Sequence, residues 1–76
     1  MEKIKLLDIV ALMVDLPEHN LQRGQVGTVV EELADSAYEV EFSDSEGRTH
    51  LSLGLEADQL MVLHYEPLLA GASVSA

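Results

Sequence analysis

The chain has 76 residues, with four basic against fourteen acidic side chains for a formal charge of −10, and no cysteine. That length makes one domain, which buries only about 60% of the surface its unfolded chain exposes, so its stability is marginal and a large enclosed active site is not expected. The charge opposes the phosphate neutralisation that drives most nucleic-acid binding, and the missing cysteines exclude disulfide staples and Cys-based zinc sites.

Lys3 and Lys5 open a run that stays mostly apolar to Val14, but Asp8 interrupts it and no small-residue cleavage site follows. A signal peptide is therefore not expected. No apolar stretch approaches the 18 to 20 or so residues of a membrane span, and a Cys-free soluble domain without an export signal fits the cytoplasm. From Asp8 to Val14 the β-branched content and the nearby Pro17 favour a short buried strand over a helix. Leu16 to Gly24, with Pro17 and Asn20, reads as a connecting loop.

Gly24 and Gly27 are predicted to shape the backbone, one in the turn and one where the second strand bends or closely approaches a neighbour. They do not form a phosphate cradle, since Gly-Lys-Ser/Thr is missing and no helix start follows. The second strand is expected from Gln25 to Leu33, with Ala34-Asp35-Ser36 as a turn. In the next strand Tyr38, Val40 and Phe42 point one way and Glu39 and Glu41 the other, the period of a half-buried antiparallel strand. Ser43 to Gly47 reads as a hairpin loop with Gly47 left-handed, leading back into a strand from Arg48 to Leu55. Glu56 to Gln59 suits one helical turn, Leu60 to Tyr65 a last strand, and residues 67–76 a disordered tail.

The resulting fold class is all-β: a small five-stranded SH3-like barrel over residues 1–66 with one short helical turn before the last strand.

Half of the carboxylates, Glu31, Glu32, Asp35, Glu39, Glu41, Asp44 and Glu46, fall in the second and third strands and their turns. Glu39 and Glu41 lie about 7 Å apart on one face, which in water costs only about 0.6 kcal/mol. Such a cluster serves equally as a solvated face or as a complement to a basic surface. The loop at Asp44 lacks the ligand spacing of an EF-hand. His19, His50 and His64 show no metal spacing, and no nucleophile elbow is present. No cofactor, metal site or catalytic residue is assigned, and an enzyme is not expected. Arg23 and Arg48 are read as cross-strand partners of the carboxylates, and Tyr38 and Tyr65 as parts of the barrel wall.

The blocks Leu7-Asp8-Ile9-Val10-Ala11-Leu12, Asp15-Leu16-Pro17-Glu18, Leu21 to Glu31, Tyr38-Glu39-Val40-Glu41-Phe42 and Asp58-Gln59-Leu60 together resemble a small bacterial family, the domain of unknown function 4926. The resemblance spans about Ile4 to Pro67 and brings no catalytic residues with it. It implies a stand-alone SH3-like barrel in settings that look like toxin–antitoxin or immunity pairs. The glycine block alone is also similar to the KOW motif, although a KOW module's basic surface is missing here. The expected function is a non-enzymatic, antitoxin-like or immunity-like protein-binding module whose acidic residues meet a basic protein. The alternatives are a KOW-like module acting with the ribosome or transcription machinery, and a self-associating structural module in the form of a homo-oligomer.

Overall fold

The computed structural model describes residues 3–64, the side chains of 49 and 50 excepted. β1 (Ile9–Leu12), β2 (Val26–Glu32), β3 (Ala37–Ser43), β4 (Thr49–Glu56) and β5 (Leu60–Val62) make one antiparallel sheet in the order β4-β3-β2-β1-β5. Single 3₁₀ turns stand at Pro17–His19 and Ala57–Gln59. The five strands and the helical turn before the last one stand where the sequence predicts them, except that β5 stops at Val62 short of the expected Tyr65 and a second 3₁₀ turn lies in the expected loop from Leu16 to Gly24. Hydrogen bonding leaves the sheet open among the described residues. The turn at Ala57–Gln59 separates β4 from β5, and each strand pairs with a different neighbour, β4 with β3 and β5 with β1.

Alternation along each strand sorts the side chains. Val10 and Leu12 of β1, Val29 of β2, Val40 and Phe42 of β3, and Leu55 of β4 meet Leu60, Leu21 and Ile4 in one core. Val10, Val29 and Val40 are fully excluded from solvent. These apolar groups supply most of the folding free energy at roughly 25 cal/mol per Å² removed from water.

Gly24 lies at φ 92° and Gly47 at φ 83°, the left-handed region that other residues resist. Gly27 has a different constraint, because a Cβ there would meet Val40 Cγ1 at 2.8 Å, the Glu41 carbonyl oxygen at 2.9 Å and Phe42 Cδ1 at 2.9 Å. The strand needs glycine here so that β3 can pack across its core face. The loop between β1 and β2 is tied rather than loose. Leu16 and Leu21 exchange backbone hydrogen bonds of 2.9 and 3.1 Å, and the Arg23 N–H donates to Asp15 Oδ1 at 2.9 Å.

β2 carries a bulge. Between Val29 and Glu31 the register advances two residues on β2 while β3 moves one, from Val40 to Glu39. The extra residue, Val30, has no partner in the register, and the strand bends at this point. No helix among the described residues is long and apolar enough to cross a membrane. The Tyr65 ring, the His50 side chain and the expected tail at 67–76 lie outside the described residues.

Candidate protein-binding face

The bulge decides which carboxylates meet. Gly27 and Val29 pair with Phe42 and Val40 on the core face, so uninterrupted alternation would send Glu31 inward as well. The extra residue turns it over, and Glu31 stands on the outer face directly opposite Glu39. Glu41, opposite Thr28, is two residues along β3 on the same face. The Ser52 hydroxyl on β4 donates to Glu39 Oε2 at 2.8 Å and fixes one carboxylate within the group.

The other four predicted acidic residues lie elsewhere. Glu32 is paired with Tyr38, one step on from Glu31 and so of opposite facing, and Asp35 occupies the β2–β3 turn at φ 60°. Asp44 opens the β3–β4 turn three residues past Glu41, about 10 Å on at 3.3 Å per residue, and Glu46 lies in the same turn. There Asp44 is a turn-forming residue. Its Oδ1 accepts the N–H groups of Glu46 and Arg48 at 2.9 and 3.0 Å, and its Oδ2 accepts Arg48 Nε–H at 3.0 Å. Arg48 also reaches Glu46 at 3.4 Å, so its ion pairs stay within its own turn instead of crossing strands. The seven residues therefore form a cluster of Glu31, Glu39 and Glu41, with Glu32 and Asp35 toward the β2–β3 turn and Asp44 and Glu46 in the β3–β4 turn.

None of the five strands contains lysine or arginine. Lys3, Lys5, Arg23 and Arg48 all lie in the segments between or before them. Lys5 turns to Asp8 at 4.0 Å, and Arg23 has no ion pair among the described residues. The outer sheet face thus carries Glu31, Glu39 and Glu41 over β2 and β3, on strands that hold no lysine or arginine. Like charges directly opposed across a ladder are destabilising, so the opposition of Glu31 and Glu39 costs the fold a little.

The same face changes character toward β1 and β5. Val26 and Met61 flank Ala11 from either side in the register, and they are about half exposed, at 49% and 50%. Met13 extends the line, and Ile9 stands beside Thr28 in the next row. In the sequence the apolar run of β1 looks like core, which hides this strip. The signal was present, since Ile9, Ala11 and Met13 alternate with Val10 and Leu12 and an apolar run presents both faces.

His19 and His64 lie in separate places, and no group of three or more His, Cys, Asp or Glu able to hold a metal occurs among the described residues. No curated relative and no solved structure matches the chain. A family profile, described as a domain of unknown function, matches residues 6–62, the span that runs from the turn before β1 to the end of β5. With well over half its length covered, the chain belongs to the family DUF4926.

Proposed function

We propose that this chain is a non-enzymatic protein-binding module, antitoxin-like or immunity-like in its role, that meets a basic partner protein with Glu31, Glu39 and Glu41. The observation that carries this reading is the opposition of Glu31 and Glu39 across β2 and β3, on a sheet whose strands supply no lysine or arginine. A basic partner would relieve that repulsion and would be steered by the chain's overall charge of −10. Acidic cover of a nucleic-acid-reading surface would also compete with that surface's substrate.

The fold supports an SH3-like scaffold: the strand order β4-β3-β2-β1-β5, a bulged second strand and a 3₁₀ turn between the last two strands all fit one. Such scaffolds host many binding tasks, so the face and not the fold points to function.

The test is calorimetric titration of the full chain with a basic protein that co-purifies with it, at low and at raised salt. Binding should weaken as salt rises, and the variant Glu31→Gln/Glu39→Gln/Glu41→Gln should lose most of it. Salt-independent binding, or a variant that binds like the wild type, would refute the reading.

A further inference from the structure

The sheet ends on two strands that are guarded differently. β5 covers three residues, and its Leu60 N–H is bound to the Ala57 carbonyl oxygen. β4 covers eight, with no proline, lysine or arginine among them, and no strand of the described residues pairs with its outer side. Long edges are usually blocked by such residues, by a bulge or by a cover. Here a bulge breaks only the Thr49 end, between Phe42 and Ser43 in the register.

The ladder fixes which backbone groups face out. The Ala57 N–H donates to the Ser36 carbonyl oxygen at 2.9 Å, one step beyond the Ala37–Glu56 pair. Bonded pairs alternate with non-bonded ones, so Leu51, Leu53 and Leu55 bond to β3 while Ser52 and Gly54 turn their groups outward. Glu56 follows the same alternation, because its outward N–H is taken by Gln59 Oε1 at 2.8 Å. Ser52 and Gly54 thus present two N–H and two C=O groups at the edge, and Leu51 and Leu53 beside them are only half-buried.

We propose that this edge pairs with itself: two copies of the chain join β4 to β4, antiparallel, about a two-fold axis at Leu53. In that register Ser52 of each copy exchanges backbone bonds with Gly54 of the other, so all four outward groups are satisfied. Leu53 meets its own counterpart as the close, non-bonded pair on the axis, and Leu51 comes opposite Leu55, which covers the half-buried leucines on the core side.

The distribution of charge selects a second copy. β4 holds one of the chain's fourteen acidic residues, Glu56, and holds it at its end. Across the joint one row reads Glu41 and Ser52 from one copy, then Gly54 and Glu39 from the other. Three strand spacings set those carboxylates about 14 Å apart, beyond the Debye length of about 8 Å at physiological salt. A basic strand finds no carboxylate on Leu51 to Leu55 to answer its charge, whereas a neutral strand rich in leucine, such as β4 itself, fits. Five residues a side, against about 20 to 30 in a standard interface, make the dimer weak and concentration-dependent. Glu31, Glu39 and Glu41 lie outside the joint, so pairing leaves the protein-binding reading untouched.

The test is sedimentation equilibrium of the full chain over a concentration series at low and raised salt, with amide hydrogen exchange read residue by residue at both ends of the series. Mass should rise toward that of two copies, and further at raised salt, the reverse of the salt effect expected for a basic partner. Exchange at Ser52 and Gly54 should slow about tenfold where about nine-tenths of the chains are paired, while Leu51 and Leu53 stay slow throughout. Ser52→Pro removes an outward N–H and no bond to β3. It costs the dimer two of its four bonds and should weaken association about tenfold or more, whereas Ser52→Ala, which keeps the N–H, should pair like the wild type. If Ser52→Pro does not fold, the exchange pattern decides alone. A single-copy mass at every concentration, association that weakens with salt, or pairing that leaves Ser52 and Gly54 exchange unchanged overturns the inference. So does a folded Ser52→Pro that pairs like the wild type, or slow exchange of both amides at the lowest concentration, which puts the cover within one chain.

Discussion

Glu31 and Glu39 face each other across the β2–β3 ladder, one residue beyond a bulge that puts both on the outer side of the sheet. Two carboxylates in that relation repel at a cost of a few tenths of a kcal/mol or more. Glu31→Lys should stabilise the free protein by about 0.5 kcal/mol, seen as a higher urea midpoint with an unchanged slope. The gain should shrink in concentrated salt, because the pair is exposed and screened. The same change should weaken binding to a basic partner.

Gly27→Ala should destabilise far more than its single added methyl implies. One of the three atoms that its Cβ would meet within 3 Å is the backbone oxygen of Glu41, which cannot rotate aside. A loss of about 1 to 3 kcal/mol is expected, the range for forced overpacking. Gly24→Ala has open space around the Cβ and only its φ of 92° to oppose it, so about 1 to 2 kcal/mol is expected there. Denaturant midpoints of the two variants separate crowding from backbone strain.

Phe42→Ala should abolish cooperative folding. Phe42 is almost fully buried among Val10, Val29 and Val40 in the core, and its truncation costs about 3 to 5 kcal/mol. A domain this small has little more than that in total. Thermal unfolding by circular dichroism should show a flat, non-cooperative trace.

Asp44→Ala should loosen the β3–β4 turn by about 1 kcal/mol, because it removes the acceptor of the Glu46 and Arg48 N–H groups. Arg48→Met should cost less, since its ion pairs are surface pairs worth about 0 to 1 kcal/mol. Neither variant should change partner affinity. Equal affinity loss in Asp44→Ala and Glu39→Gln would move the binding face to the wrong end of the hairpin.

Much of this arrangement is legible in the sequence wherever period-two alternation is clean. Tyr38, Val40 and Phe42 against Glu39 and Glu41 define β3 and its two faces without ambiguity. The two glycines of the β2 lead-in have the separable roles that their sequence setting suggests, one angular and one steric. The bulge is not legible. Val29-Val30-Glu31-Glu32 keeps no alternation for a register shift to break, so nothing local announces that Glu31 changes sides. Asp44 and Glu46 are grouped with the other carboxylates by nearness along the chain, but an extended strand carries its two ends far apart. The apolar strip escapes notice for a related reason: Ala11 and Ile9 look like core until the order of the strands leaves their side of the sheet uncovered.

The most direct test of the central claim compares wild-type chain with Glu31→Gln/Glu39→Gln/Glu41→Gln as bait in the cell that encodes it, both checked for a native circular-dichroism spectrum. The account predicts that the wild type retains a specific basic protein and that the folded variant loses it. Retention of the same protein by both baits would contradict it.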